Sequence, residues 1–249
     1  THGSLRKLMN IYAPKKTKKR YFSLIDGSDF EYSEANIVTE KIGLPKEYLS
    51  LININQKDYQ TIKVLKYLNS RAITKEIISQ NRIGFCKDGK YSGRVIIPSY
   101  DKYGELNYFI SRSYVNHKMK YLNPITSKED IIFNEDKIDW NKNLFLVEGV
   151  FDSLFIPNSI PMLGKVMSDK LWEVIYKKLT KKIFIVLDSD AWNDAIKLYK
   201  KLDGGKLKER VFLTKVPNDT DVADIVKNHG IAELKKILLS SGRLKESTL

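Results

Sequence analysis

From Trp140 onward, four short apolar runs, Leu144 to Val147, Ile160 to Leu163, Ile183 to Leu187 and Val211 to Leu213, alternate with stretches of a different period. In Ser168 to Leu179, Asp190 to Leu202 and Val222 to His229 the apolar residues recur three and four apart. A continuous apolar run of three to five residues fits a strand buried on both faces, and the longer stretches fit helices with one apolar side. Strands that alternate with helices close on a parallel sheet covered on both faces, so this half of the chain is expected to be an α/β layer structure.

The half before it has another rhythm. Tyr59, Ile62, Leu65 and Tyr67-Leu68 lie at helical spacing, and Thr74 opens the stretch Lys75-Glu76-Ile77-Ile78 as a capping residue, so two short helices are expected there. Val95 to Ser99 and Leu106 to Ser111 then read as two strands joined by an Asp101-Lys102-Tyr103-Gly104 turn. The fold class is therefore α/β, with a mixed α+β subdomain over residues 1–138, an α/β subdomain with a mostly parallel sheet over 139–230, and a C-terminal helix and tail over 231–249. The boundary falls near residues 136 to 143. Residues 5 to 50 give no clear pattern. Their basic run, Lys15-Lys16-Thr17-Lys18-Lys19-Arg20, suits either a solvated arm or a nucleic-acid contact.

Charge narrows the class of partner. The 249 residues hold 43 Lys and Arg against 30 Asp and Glu, a formal +13, which is the electrostatic footprint of a phosphate-backbone binder or a surface that is lysine-rich by default. From Lys87 to Lys120 seven Lys and Arg face three acids, so the first sheet carries much of the excess. A single cysteine, Cys86, excludes an internal disulfide, and with only His2, His117 and His229 beside it a structural zinc site is not expected. No stretch has the ~18 consecutive apolar residues of a membrane span, and Thr1-His2-Gly3-Ser4 reads as a cloning scar rather than a signal peptide. A soluble protein of a reducing cytoplasm, bacterial or that of a phage-infected host, is expected.

Carboxylates gather where this architecture places active sites, outside the carboxyl ends of parallel strands. The first strand runs into Glu148-Gly149, with Asp152 four residues on. The third runs into Asp188-Ser189-Asp190, and the fourth leads to a segment holding Asp219, Asp221 and Asp224. Two carboxylates about 4 Å apart repel by about 4 kcal/mol at an effective dielectric near 20, so crowding them at one edge calls for a cation among them. Carboxylate oxygens with water suit Mg²⁺ or Mn²⁺. Asp190 also fits a plain helix N-cap.

The paired segments "LFLVEGVFDSLFI" and "IFIVLDSDAW" resemble the Toprim module shared by DnaG-type primases, topoisomerases and certain nucleases. Upstream, "YLNSRAITKEIISQNRIGF", "GRVIIPSYDKYGEL" and "SRSYVNHKMKYLNP" are similar in order and spacing to the N-terminal half of the DnaG-type primase polymerase core, and "VEGVFDSLFI" and "DVADIVKNHG" look most like the primases of T-even bacteriophages. The resemblance covers roughly residues 60 to 230. It implies Glu148, Asp188 and Asp190 as catalytic residues, with Glu148 an acid/base or a metal ligand. It further implies Glu148, Asp152, Asp188, Asp190 and Asp221 around the metal, and Arg94, Arg112, Lys120 and Asn123 facing template and triphosphate. Where many members have a second acid this chain has Ala223. The Phe-x-Lys of bacterial members stands here as Phe133-Asn134-Glu135, so that basic contact is absent or passes to Lys137.

The function so implied is template-directed synthesis of short RNA primers on single-stranded DNA from ribonucleoside triphosphates with Mg²⁺ or Mn²⁺, with a replicative helicase as partner and no membrane. A Toprim-type nuclease and a non-catalytic module that binds single-stranded DNA or a helicase are the alternatives. "GFCKDGKY" has the glycines and lysine of a P-loop, but Tyr91 stands where a Ser or Thr would bind magnesium and a strand follows where a helix is needed. Cys86 reads as a small apolar side chain, Trp172 and Trp192 as packing residues, and His117 as a surface histidine or a phosphate contact.

Overall fold

The computed structural model describes residues 42–244 apart from 53, 55–57, 127, 165, 166, 179 and 218. The basic run Lys15 to Arg20 and the segment Thr1 to Ser4 lie outside the described residues. Two four-stranded sheets lie within one compact unit.

The first sheet is antiparallel in the order β1-β2-β3-β4, with β1 Tyr48–Ser50, β2 Gly84–Cys86, β3 Arg94–Tyr100 and β4 Leu106–Ser113. The turn between β3 and β4 is fixed by Asp101, whose Oδ1 accepts from the backbone N–H of Tyr103 at 2.9 Å and of Glu105 at 3.0 Å. Two helices precede it: α1, Tyr59–Asn69, capped by Asp58, and α2, Lys75–Gln80, capped by Thr74. Sequence reading places the helices and the β3–β4 hairpin but gives no strand to the stretch Gly84 to Tyr91, whose Lys90 does lie in a turn. Instead, Gly84–Cys86 is a strand that lies fully buried between β1 and β3. Gly84 is required there, because a Cβ would overlap the Tyr48 ring and the Leu49 carbonyl of β1.

The second sheet is parallel in the order β6-β5-β7-β8, with β5 Leu144–Val147, β6 Ser159–Pro161, β7 Ile183–Leu187 and β8 Val211–Lys215. Its helices are α3 Val150–Ser153, α4 Asp169–Lys178, α5 Trp192–Leu202 and α6 Val222–Leu239. β5 and β7 are apolar throughout because both faces are covered. Leu144, Leu146, Ile183, Ile185 and Leu213 pack with Leu171 and Ile175 of α4 and Leu198, Tyr199 and Leu202 of α5. Val147 and Val186 face the opposite way, into a cluster with Val150 and Phe151 of α3 and Val222, Ala223 and Ile225 of α6. That cluster also contains Phe85, Val95, Ile97, Tyr108 and Ile110 of the first sheet, so one continuous core joins the two sheets. Phe145, Phe184 and Phe212 stack in register across β5, β7 and β8 with centroids 4.9 and 5.2 Å apart.

The helix expected from Val222 to His229 continues further. Gly230, at φ 81° and ψ 168°, bends it, and α6 resumes to Leu239. Gly242 then pairs with Leu213 on the outer edge of β8. Among the described residues no helix is long and apolar enough to cross a membrane.

Candidate metal centre and basic face

Parallel register brings the acids together. β5 and β7 are direct neighbours with Val147 level with Val186, so the residues that follow them, Glu148 and Asp188, emerge at the same edge of the sheet. After Asp188 the chain makes a short 3-10 turn, Ser189–Ala191, before entering α5, and that turn returns Asp190 toward the same edge. One carboxylate oxygen from each of Glu148, Asp188 and Asp190 lies within 4.8 Å of the other two. Among the described residues this trio is the group of acids, histidines or cysteines close enough to hold one ion.

Asp152 and Asp221 stand beside the trio. Asp152, in α3, is 8% exposed, and its Oδ2 accepts from the backbone N–H of Gly149 at 3.0 Å. A Cβ at Gly149 would press on that same oxygen at 3.0 Å, so the glycine lets the carboxylate close on the backbone. Asp221 caps α6, with Oδ1 accepting from the backbone N–H of Asp224 at 2.7 Å. The loop before it is tied to the site, since the backbone N–H of Asp219 donates to Ser189 Oγ at 3.2 Å.

The electrostatics show crowded negative charge. Burial, and then the charges of Glu148, Asp221, Asp190 and Asp224, push the Asp188 carboxyl up to about 6. Burial and then Asp188 push Asp152 up to about 7, against the Gly149 hydrogen bond that pulls it down. Such a set of oxygens, repelling one another and with no thiol or imidazole among them, fits a hard divalent cation, which would relieve the repulsion.

The basic residues singled out from sequence fall into two kinds. Arg112, on β4, lies over the rings of Tyr121, at 5.0 Å, and Phe151, at 4.9 Å, and donates to Tyr121 Oη. Lys120 is exposed. Arg94 is 3% exposed; its Nη1 donates to the Lys120 carbonyl at 3.2 Å and its Nη2 to the Met119 carbonyl at 2.9 Å. Asn123 is also turned inward, accepting from the backbone N–H of Ser111 at 3.0 Å. Lys137 donates to Asn81 Oδ1 at 2.9 Å. His117 is exposed and its Nδ1 accepts from the backbone N–H of Met119 at 3.0 Å.

Arg71 escapes sequence reasoning. Its guanidinium lies 5.5 Å from the Tyr67 centroid and 5.4 Å from the Phe151 centroid, so two arginines from the first half of the chain flank one ring in α3, three residues after Glu148. No local pattern marks it, because Arg71, Arg112, Tyr121 and Phe151 meet only through the fold.

Comparison with known proteins agrees with this architecture. No protein-family model matches the chain. The sequence is 30% identical over 210 residues to the DNA primase of Aquifex aeolicus, an alignment that spans 76% of this chain and 41% of that protein. In structure it superposes on the zinc-binding and RNA polymerase domains of Aquifex aeolicus primase with a TM-score of 0.63 and 24% identity, covering 77% of this chain and 58% of that one. It also superposes on a DnaG primase catalytic domain bound to single-stranded DNA with a TM-score of 0.63 and 18% identity, covering 75% and 74%. The chain thus spans less than half the length of the Aquifex aeolicus DNA primase.

Proposed function

We propose, from the premise that this chain carries the fold of the DnaG-type primase catalytic core, that it is the polymerase core of a DNA primase and makes short RNA primers on single-stranded DNA. The observation that carries this reading is the trio Glu148, Asp188 and Asp190, with oxygens within 4.8 Å at the strand ends of that fold. Arg112 of the antiparallel sheet, which also lies over the Tyr121 ring, reaches toward the helix that follows Glu148 through the Phe151 ring.

In this reading the 3′-hydroxyl of one ribonucleotide attacks the α-phosphorus of the next triphosphate, the new phosphodiester forms, and pyrophosphate leaves. Phosphoryl transfer of this kind depends on positioning and charge neutralisation more than on covalent help from the protein. Glu148, Asp188 and Asp190 would hold Mg²⁺ or Mn²⁺, which when bound supplies neutralisation of the phosphate charge. Asp152 and Asp221 deepen the negative field that retains the cation. Arg112, Lys120 and Arg71 offer positive charge to the triphosphate and the template. The DnaG domain solved with single-stranded DNA supports that template class. Ribonucleoside triphosphates as substrates and a replicative helicase as partner belong to the same reading, as do the assignment of the second sheet to the Toprim class and a division of the chain near residues 136 to 143.

Primer synthesis on mixed-sequence single-stranded DNA with ribonucleotides and Mg²⁺ tests it. The parent should extend, and Asp188→Ala and Glu148→Ala should not. Variants as active as the parent would sink the polymerase reading, and strand cutting in the absence of nucleotides would move the same acids to a nuclease.

A further inference from the structure

Among the described residues Arg94 is the one cationic side chain that is buried. Burying a guanidinium is costly unless its N–H groups find acceptors. Here the acceptors are two successive backbone carbonyls, Met119 at 2.9 Å and Lys120 at 3.2 Å. A planar fork that takes two adjacent carbonyls fixes both the position and the direction of the chain that bears them.

The captured stretch is laid along β4 like an added strand. Ser113 donates its backbone N–H to the Lys120 carbonyl at 2.9 Å, Leu122 donates to the Ser111 carbonyl at 3.0 Å, and Arg112 and Tyr121 form a bridge pair. Asn123 anchors the far end through the backbone N–H of Ser111. What the strand presents outward is exposed: Lys118, Met119 at 52%, Lys120 and Tyr121 at 42%. Tyr121 lies beneath Arg112, which in turn lies over Phe151 beside the acids. Arg94 therefore reaches no phosphate itself but sets the register of residues that can.

We propose that Arg94 is a positioning residue whose guanidinium holds the 119–121 backbone so that Lys120 and Tyr121 meet the sugar-phosphate chain of single-stranded nucleic acid. The proposal rests on the function proposed above. Arg94 then contributes to binding through Lys120, and the two side chains act as one unit rather than as two independent charges.

The test is the salt dependence of binding of a fluorescein-labelled, mixed-sequence single-stranded oligodeoxynucleotide to the whole chain, followed by anisotropy. On a single strand, loss of one phosphate contact lowers the slope of log K against log salt by about 0.7, so Lys120→Ala should do so. Arg94→Lys keeps the charge but cannot span two carbonyls, and it should lower the slope by about the same amount. Arg94→Lys combined with Lys120→Ala should lower it no further. Mn²⁺ affinity should stay at the parent value in all three.

Asn123→Ala, which releases the other end of the strand without changing charge, should also lower the slope by about 0.7, and it carries the test if Arg94→Lys fails to fold. A parental slope in Arg94→Lys, or a loss of about 1.4 in the double variant, overturns the proposal. So does a variant that loses thermal stability while keeping the parental slope, since that describes a purely structural arginine. A parent that does not bind the oligonucleotide overturns the functional reading together with this one, whereas binding with an unmoved Arg94→Lys slope overturns this one alone.

Discussion

Asp188 stands one residue beyond β7, and the affinity of its carboxyl for a proton reports on all the acids around it. Its pKa, about 6, and that of Asp152, about 7, lie above the ordinary carboxylate value of about 4, so both hold a proton more tightly folded than unfolded. Their contribution to stability is complete below about pH 4 and is lost as pH rises through 6 and 7. Asp58 works in the opposite sense. Its hydrogen bonds to Thr61 hold it down to about 2, so what it contributes is lost only as pH falls below about 4, outside that window. Metal-free protein should therefore lose thermal stability between pH 5 and pH 8, and Asp188→Asn should flatten that loss in a melting series. Mg²⁺ or Mn²⁺ should raise Tm more at pH 8 than at pH 5, because protons compete for the same oxygens. In calorimetric titration with Mn²⁺, Asp188→Asn and Glu148→Gln should each weaken binding by at least about tenfold. Parental affinity in both would show that the trio does not hold the ion.

At the scale of elements, the sequence announces most clearly those whose burial is uniform. Leu144–Val147 and Ile183–Leu187 match their expected bounds residue for residue, because a strand covered on both faces is apolar at every position. β1, β2 and α3 are three or four residues long and carry no period that could show them, and β2 borrows its place from the strands on either side. The acids were legible for a related reason, since each follows an unmistakable strand. The Arg71, Arg112, Tyr121 and Phe151 cluster was not, since its members are scattered over some eighty residues and meet only after folding. Ile185 lies at the centre of β7 and is fully buried, so Ile185→Ala should cost about 2–5 kcal/mol in urea denaturation. A cost below about 1 kcal/mol would contradict the packing of α4 and α5 on that face.

For the whole molecule, the question is how a basic sheet and an acidic sheet edge cooperate. They share one apolar core, and Phe151 in α3 receives guanidinium groups from α1's end and from β4. A cation over an aromatic face contributes roughly 0.5–2 kcal/mol beyond apolar packing. A double-mutant cycle of Phe151→Leu with Arg112→Met, read by urea denaturation, should therefore return a coupling in that range, and no coupling would mean that the two merely lie close. The neighbouring strands β5 and β7 have a further consequence. Side chains alternate along a strand, so losing a single codon from the Ile183 to Leu187 stretch would turn Asp188 and Asp190 through half a turn relative to Glu148. Such an in-frame deletion should silence the centre as completely as removing the acids themselves, whereas exchanging one branched aliphatic residue for another in β7 should leave it intact. Evolution can exchange one apolar side chain of like size for another in this stretch but cannot change its length.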